Sequence, residues 1–324
     1  MEEHLEEVVC NLCGSDRWRV LQTVPVQRFG PPGEFNLVQC QDCGLRYLNP
    51  RPSPEEMKDY YPAAYREYRA SLDESVRRSY QEEKLRKLKA HSREGKLVDV
   101  GCADGLFLHL ARQAGYQVQG VEMAEGSAAY AREVYELDVF TGELREANFP
   151  GRYFDVVTFW HVLEHLHDPL GELREAFRIL KPDGLLVVDV PNIASWQARL
   201  FAANWRTLDT PRHVYHFSPD TLNAMLARAG FTCFKTGYWS RGHNMGGWNE
   251  GSMNLIFRLI PKSADELKSA RAFGQGPVRY IRYALFLPLH WSTFLTERVA
   301  TLLGQGGDLS TFARKQEYTE AGAL

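Results

Sequence analysis

Residues 97–105 combine glycines and acidic side chains at a spacing that suits a bound nucleoside. An apolar strand runs into a turn with Gly101 and Gly105, and glycine lets a backbone approach a ligand closely because it has no Cβ. The next strand ends in Glu122, about 20 residues on, where a carboxylate can accept hydrogen bonds from ribose hydroxyls. The turn lacks the G-x-G-x-x-G spacing of a dinucleotide loop. Asp99 and an aspartate inside the turn place negative charge where a phosphate would lie, so the pattern favours a nucleoside that carries a cation.

Strands and helices alternate from residue 96 onward, which predicts a parallel sheet with helices on both faces. Continuous apolar runs in the strands fit strands buried on both sides. The predicted strands are 97–100, 117–121, 138–140, 154–159, 184–190, 231–239 and a last strand within 309–314, and the predicted helices are 105–114, 126–136, 169–179 and 219–229.

The order of these motifs resembles that of class I S-adenosylmethionine-dependent methyltransferases. The turn is similar to their first motif, D/E-x-G-x-G-x-G, with Ala103 in place of the middle glycine. The segment 181–184 resembles their L-K-P-G-G turn, and 153–157 matches the start of their fourth strand. The resemblance covers roughly 96–240 and 308–315, and it implies a Rossmann-like sheet that is parallel except for an antiparallel last strand.

The resemblance also implies S-adenosylmethionine as the methyl donor and a set of residues that hold it. They are Asp99, Gly101, Cys102, Ala103 and Gly105 on the methionine side, Glu122 on the ribose, Met123, Glu143 and Leu144 at the adenine, and Trp160 at the end of the fourth strand.

Three titratable residues, His161, Glu164 and His165, follow the fourth strand, whose carboxyl end lies on the ligand side of such a sheet. Methyl transfer from a sulfonium centre often needs a base that removes the proton of the attacking atom. A histidine with a pKa of ~6.5 can act as that base at neutral pH, and a neighbouring carboxylate can tune it. His213, in a later segment, is a candidate for a further base or ligand.

The same cluster is compatible with a metal ion or with a structural role. In a helical turn His161, Glu164 and His165 would share one face at i, i+3 and i+4, which suits a divalent ion. The segment resembles the Glu-x-x-Glu-His motif of small-RNA and ubiquinone-pathway O-methyltransferases, with His161 in place of the first glutamate. Alternatively, these histidines hydrogen-bond the backbone and shape a pocket.

Two C-x-x-C pairs, Cys10 with Cys13 and Cys40 with Cys43, lie near the start of the chain. Four thiolates at tetrahedral geometry suit Zn²⁺, and a closed Cys₄ site has no open position for catalysis. We therefore predict a structural zinc ribbon, with a β-hairpin in the long gap between the pairs. Together with this ribbon, the chain resembles the branch of methyltransferases that serve sugar, polysaccharide and secondary-metabolite pathways.

The sequence divides into four predicted parts. They are a zinc-ribbon module at 1–50, a helical linker or lid at 51–95, the cofactor-binding domain at 96–240 with 308–318, and a helical insertion at 241–307. Within the insertion, 279–303 carries aromatic residues, leucines and flanking arginines. This composition is compatible with peripheral membrane contact, and a buried or dimer-forming helical hairpin is the slightly favoured alternative.

The composition limits the function. A net charge of −3 and a pI near 6.4 do not indicate the strongly basic surface of a nucleic-acid-binding protein. The acidic N-terminal residues do not predict a signal peptide, and the absence of a run of about 18 apolar residues predicts no transmembrane helix. We therefore expect a cytoplasmic enzyme, at most peripheral at the inner membrane face. It would methylate an oxygen or carbon of a small molecule, by resemblance a lipid-linked or nucleotide-linked sugar. The alternatives are an RNA methyltransferase that docks through the ribbon and a non-catalytic S-adenosylmethionine-binding scaffold.

Overall fold

The computed structural model describes residues 5–27, 30–61, 74–240, 244–249, 251–252 and 292–315. Contacts divide the chain into two compact units. The first contains 1–191, 209–237 and 309–324, and the second contains 192–208 and 238–308. These units group residues by packing, and the four predicted parts stay a prediction.

The first unit begins with a small antiparallel module, residues 5–52. Its strands are β1 (Leu5–Glu6), β2 (Trp18–Pro25), β3 (Glu34–Cys40), β4 (Arg46–Leu48) and β5 (Arg51–Pro52). β2 and β3 form the predicted hairpin. A short 3-10 helix, Glu56–Tyr60, stands where the sequence predicts a helix start, and α1 (Glu74–Lys89) follows. Within the predicted helical linker or lid at 51–95, residues 62–73 lie outside the described residues.

A seven-stranded sheet forms the centre of the first unit. Its strands are β6 (Gly95–Val100), β7 (Tyr116–Glu122), β8 (Val139–Thr141), β9 (Phe154–Trp160), β10 (Leu180–Pro191), β12 (Phe231–Gly237) and β13 (Asp308–Lys315), in the order β12-β13-β10-β9-β6-β7-β8. β8, β7, β6, β9 and β10 are parallel, and β13 pairs antiparallel with β12. The predicted Rossmann-like sheet with an antiparallel last strand is confirmed.

The helices α2 (Leu106–Gln113), α3 (Glu125–Tyr135), α4 (Pro169–Ile179) and α6 (Pro219–Arg228) connect these strands. The strand ends differ from the predicted ones by up to four residues. β10 begins four residues early because a register shift between Leu180 and Leu185 absorbs the predicted turn. β12 ends at Gly237, two residues early, where the chain passes from the first unit to the second.

The core of this unit lies where the sheet meets its helices. Leu97, Leu108, Val156 and Val187 are fully buried there. Burying one such side chain stabilises the fold by about 1.5–3 kcal/mol. This packed layer fixes the positions of the strand ends, and the strand ends carry the candidate site.

The second unit contains α5 (Trp196–Phe201) and a helix over 292–302. Buried Glu297 accepts hydrogen bonds from Trp248 Nε1 at 2.5 Å, Gln197 Nε2 at 2.9 Å and the Gly307 backbone at 2.9 Å. Of the predicted insertion, 241–243, 250 and 253–291 lie outside the described residues, and so does most of 279–303, for which membrane contact and a buried or dimer-forming hairpin are the two alternatives. None of the described helices is long and apolar enough to cross a bilayer.

Candidate active site

The glycine loop, residues 101–105, follows β6 and adopts backbone angles that favour glycine. Gly101 has φ +70° and Gly105 has φ +79°. A Cβ on Gly101 would clash with the Val162 side chain, and one on Gly105 would lie 2.6 Å from Leu137. Ala103 also has a positive φ, +51°, at the position where the sequence departs from the family motif. The loop therefore keeps the left-handed turn without its middle glycine, at a cost of about 1–2 kcal/mol.

The Glu122 carboxylate is fixed by backbone donors on both sides. Its Oε2 accepts a hydrogen bond from Ala103 N at 2.9 Å, and its Oε1 accepts one from Ala124 N at 2.8 Å. A carboxylate has about four acceptor positions, so it can still bind a diol. Met123, beside it, is 62% exposed, which leaves its thioether available to a flat ring.

Asp99 lies beneath the loop, at the end of β6. Its side chain is buried, and Thr158 Oγ1 donates a hydrogen bond to its Oδ1 at 2.6 Å. Burial raises the pKa of Asp99 to about 7, although the charge of Lys84 and the Thr158 hydrogen bond act in the opposite direction. Asp99 therefore titrates near neutral pH.

The predicted adenine-side residues follow β8, the next strand of the sheet. Leu144 is fully buried, and its backbone N–H donates to Glu172 Oε2 at 3.2 Å. The Glu143 side chain is nearly half exposed, with Oε2 3.4 Å from Arg145 Nη2. The pair therefore offers an apolar side chain held inside and a carboxylate at the surface.

Trp160 and Cys102 complete the predicted cofactor side. The buried Trp160 ring packs edge-on against Phe107 with centroids 5.6 Å apart, and Lys84 Nζ lies 5.7 Å from its centroid. Its Nε1 has no hydrogen-bond partner in the described part of the chain. Cys102 is buried, and this burial raises the pKa of its thiol. All the predicted cofactor residues thus lie at the carboxyl ends of four neighbouring strands.

The site turn, residues 161–168, follows β9 and carries the predicted reaction residues. His161 has φ +55°, and a 3-10 turn at Leu163–His165 follows it. Glu164 is 1% exposed, and His161 Nδ1 lies 3.4 Å from its Oε1. Burial alone would raise the pKa of Glu164, but the hydrogen bond from His161 and the adjacent histidines lower it to about 2. Glu164 is therefore ionised at neutral pH.

Two oxygen atoms contact Nδ1 of His165. The Arg212 carbonyl oxygen and the Tyr61 hydroxyl each lie 2.9 Å from it. A carbonyl can only accept a hydrogen bond, so Nδ1 carries the proton and Nε2 holds the lone pair. Burial and the charge of His213 lower the pKa of His165 to about 4. This arrangement provides a neutral imidazole with one defined basic nitrogen.

The second histidine segment, residues 213–216, lies against the site turn. The His213 ring packs edge-on against that of His165 with centroids 4.5 Å apart, and its Nε2 lies 3.8 Å from Asp209 Oδ2. The Val214 backbone N–H donates to the Glu164 carbonyl at 2.9 Å. The structure thus brings His213 to the reaction residues predicted after β9.

Glu164, His165 and His213 could also hold a divalent ion. They offer ligand atoms that all lie within 4.8 Å of one another. Both Glu164 carboxylate oxygens are buried, and neither accepts a hydrogen bond of standard geometry within the described residues; His161 Nδ1 lies 3.4 Å from Oε1. His161 is not in this three-residue group, in contrast to the one-face arrangement considered from the sequence, because its positive φ precedes the turn instead of belonging to it.

Sequence reasoning missed three contributors to this site. They are Tyr61, which lies inside the predicted linker or lid, Asp209 and the backbone carbonyl of Arg212. The D-x-x-R-H spacing of 209–213 was the available signal, since it places an acid one turn before a histidine.

The four N-terminal cysteines converge as their spacing predicts. Sγ of Cys10 lies 3.4 Å from that of Cys43, and Sγ of Cys13 lies 3.5 Å from that of Cys40, with all four within 4.8 Å. Sulfurs at the corners of a zinc tetrahedron would lie about 3.8 Å apart, given Zn–S bonds of about 2.3 Å. Burial raises the pKa of Cys40, but backbone donors at residues 42 and 43 lower it to about 7. The residues therefore fit a tetrahedral thiophilic ion.

Comparisons with known proteins agree with this geometry. A family model described as a methyltransferase domain matches residues 69–236, more than half of the chain. A probable S-adenosylmethionine-dependent methyltransferase of Mycolicibacterium smegmatis is 31% identical over 144 residues, 44% of this chain and 54% of that protein. The ubiquinone biosynthesis O-methyltransferase of Pseudomonas aeruginosa is 32% identical over 150 residues, 42% of this chain and 63% of that protein. The chain thus spans less than two thirds of the length of these curated relatives.

Among solved structures, an S-adenosylmethionine-dependent methyltransferase from Archaeoglobus fulgidus is similar at a TM-score of 0.49 and 20% identity, over 74% of this chain and 94% of that one. The family assignment depends on the domain match and on the sheet order described above. The chain belongs to the class I S-adenosylmethionine-dependent methyltransferases.

Proposed function

We propose that this protein transfers a methyl group from S-adenosylmethionine to an oxygen or carbon of a small-molecule acceptor, with His165 as the base. The observation that carries the proposal is the 2.9 Å contact between His165 Nδ1 and the Arg212 carbonyl oxygen. It assigns the proton to Nδ1 and the lone pair to Nε2. The imidazole is carried by the turn at the carboxyl end of β9, the strand next to β6 and its glycine loop.

S-adenosylmethionine supplies an electrophilic methyl group on a positively charged sulfur. His165 Nε2 takes the proton from the acceptor as the acceptor atom forms its bond to the methyl carbon. The carbon–sulfur bond breaks, and its electron pair stays on sulfur, which becomes a neutral thioether. Ionised Glu164 stabilises the imidazolium until it returns its proton to solvent. Glu122 and the glycine loop would hold the nucleoside, since their acceptors match a diol.

We propose a sugar, in lipid-linked or nucleotide-linked form, as the acceptor class, and the cytoplasm as the location. The support for the acceptor is the resemblance of the cysteine-bearing chain to sugar and secondary-metabolite methyltransferases. The likeness to a ubiquinone O-methyltransferase favours oxygen over carbon as the methylated atom.

The experiment is a transfer assay with radiolabelled methyl donor. Purified protein is incubated with nucleotide sugars, lipid-linked sugars, quinone precursors, RNA and cell-extract fractions. Label in a sugar fraction supports the proposal, and label only in RNA supports the docking alternative. Binding of S-adenosylhomocysteine without transfer to any fraction supports a non-catalytic scaffold. Gel shifts at rising salt give a second test of RNA binding, since phosphate contacts weaken steeply with salt.

We also propose that Cys10, Cys13, Cys40 and Cys43 bind one structural zinc ion. The support is the fit of their sulfur distances to a tetrahedron. Elemental analysis should find one zinc per chain, and the Cys10→Ser, Cys43→Ser double variant should lose it. Retention of a full equivalent by that variant would refute the assignment.

A metal at Glu164, His165 and His213 is the competing role for these residues, favoured by the buried carboxylate oxygens of Glu164 and by the mutual proximity of the three ligand atoms. Elemental analysis separates the two roles. If the protein binds a second equivalent of metal and His213→Ala abolishes it, the three residues are metal ligands. The ion would then act as a Lewis acid, and His165 would not be the base. A single equivalent, unchanged in that variant, leaves His165 as the base.

A further inference from the structure

We infer that the N-terminal module positions the acceptor-side histidines, so that metal binding at its four cysteines governs the reaction site and leaves the cofactor site intact. This inference depends on the proposed roles of the cysteines and histidines. Four sets of contacts, all within the first unit, carry it.

The first cysteine pair reaches the end of the site turn through Asn11. This residue lies between Cys10 and Cys13. Its Nδ2 donates to Asp168 Oδ1 at 3.0 Å, and its Oδ1 accepts from the Leu170 backbone N–H at 3.0 Å. Asp168 is the N-cap of α4, where it also accepts from the Gly171 N–H. One amide side chain thus joins the metal-binding loop to the last residue of the site turn.

The second cysteine pair reaches the second histidine segment through β4. This strand begins three residues after Cys43 and pairs antiparallel with β11 (Tyr215–His216). The Leu48 backbone N–H donates to the Val214 carbonyl at 3.0 Å, and the Val214 N–H donates to the Glu164 carbonyl at 2.9 Å. The second histidine segment therefore lies between the module and the site turn, bonded to both.

A single buried arginine of the module, Arg51, joins the same two segments. Its Nη1 donates to the Tyr215 hydroxyl at 2.9 Å, and its Nη2 donates to the His167 carbonyl at 3.2 Å. Its Nε pairs with Glu6 Oε1 at 2.7 Å. Because Arg51 is only 6% exposed, its donors depend on these partners. The planar guanidinium of Arg51 thus holds the second histidine segment and the site turn at a fixed separation.

The glycine loop makes backbone hydrogen bonds to β7 and, within the described residues, none to the N-terminal module. Gly101 N and Cys102 N donate to the Val121 carbonyl at 2.7 and 3.1 Å, and Ala103 N donates to Glu122. These bonds join the glycine loop, which follows β6, to the carboxyl end of β7. Loosening the module should therefore free the site turn before it affects nucleoside binding.

The test uses the whole 324-residue chain loaded with zinc, and its Asn11→Ala variant, which keeps all four cysteines. Hydrogen exchange of the Leu170 and Gly171 amides should accelerate at least tenfold in the variant, while Gly101 and Cys102 change less than twofold. Binding of S-adenosylhomocysteine by calorimetry should stay within threefold. Thr23→Val, which removes an exposed hydrogen bond to Asn36 on β3, is the matched control and should change neither amide group.

A second readout follows His165 directly. Nitrogen-15 shifts of its imidazole should report the Nδ1-protonated tautomer in the wild type and a mixture of tautomers after chelation of zinc. If chelation unfolds the chain, Asn11→Ala alone decides. Unchanged exchange of the Leu170 and Gly171 amides in Asn11→Ala, or equal acceleration in the glycine loop, would overturn the inference. Neither readout needs an acceptor, so a failure to detect methyl transfer leaves this test unaffected.

Discussion

Nδ1 of His165 and the carbonyl oxygen of Arg212 lie 2.9 Å apart, and this contact fixes which nitrogen of the imidazole is basic. The orienting group is a backbone atom 47 residues away, so substitution of the Arg212 side chain does not remove it. A base oriented in this way can lose its other neighbours and keep its tautomer. The reaction site thus depends more on the path of the backbone at 209–214 than on any single side chain there.

His165→Gln should lower the rate constant of methyl transfer by about 10²–10⁴-fold, the usual contribution of a positioned base. Glutamine fills a similar volume but cannot take the proton. The affinity for S-adenosylhomocysteine should change little, since the residue lies on the acceptor side. Single-turnover rates with labelled donor measure the effect, and His109→Gln on α2 serves as the control. A variant that retains more than a tenth of the rate would exclude His165 as the base.

Tyr61→Phe should have a much smaller effect on the same rate, about 2–10-fold, because one net hydrogen bond contributes about 0.5–1.5 kcal/mol. The Arg212 carbonyl keeps the tautomer after the hydroxyl is lost. Pre-steady-state rates of Tyr61→Phe and His165→Gln check that the tyrosine variant loses less activity than the histidine variant. A loss as large as that of His165→Gln would show that the tyrosine takes part in the chemistry.

The sequence was sufficient for the sheet and for the left-handed turns of the glycine loop, because glycine spacing and apolar runs reflect local backbone geometry. It could not show that Tyr61 meets His165, since the two are 104 residues apart and no periodic pattern connects them. The pairing of β4 with the two-residue strand β11 has no signature either, because so short a strand shows no alternation. Backbone carbonyls such as that of Arg212 are present at every position, so only the fold selects one.

Glu122→Gln should weaken binding of S-adenosylhomocysteine about 10–100-fold. Hydrogen bonds to a charged group contribute about 1.5–3 kcal/mol, and the amide replaces an acceptor that the Ala103 or Ala124 N–H now uses. Calorimetry gives the affinity directly, with Glu133→Gln, an exposed carboxylate on α3, as the control. Equal affinities for wild type and Glu122→Gln would remove the ribose role of this residue.

Asp99→Asn should stabilise the protein at pH 8 by on the order of 1–4 kcal/mol, the range that a pKa shift of a few units allows. Burial raises the folded-state pKa to about 7, above the ordinary value of 3.8. The folded state therefore binds this proton more tightly than the unfolded state, and stability is lost as the pH rises from about 4 to about 7. Asparagine carries no charge at any pH, so the free energy of unfolding of the variant does not fall in this way as the pH rises.

Asp155 is the matched comparison for this effect, because its pKa is shifted the other way. Burial raises its pKa, but hydrogen bonds from Lys181 and from the Lys96 backbone outweigh burial and lower it. Its contribution is present above the ordinary pKa and is lost as the pH falls, so Asp155→Asn should destabilise at pH 8. Urea unfolding of both variants at pH 5 and pH 8 tests the opposite signs. Destabilisation of Asp99→Asn at pH 8 would contradict the assignment.

Gly101→Ala should destabilise the first unit and weaken cofactor binding, whereas Gly126→Ala should do neither. At Gly101 the positive φ and the Val162 side chain both oppose a Cβ, and at Gly126 nothing lies within 4 Å. Gly126 is inside α3, where alanine gains about 0.5–1 kcal/mol over glycine. Ala103→Gly should also stabilise, because it relieves the left-handed φ of +51°. Thermal unfolding with and without S-adenosylhomocysteine measures all three, and a stabilised Gly101→Ala would mean that the loop adopts another conformation.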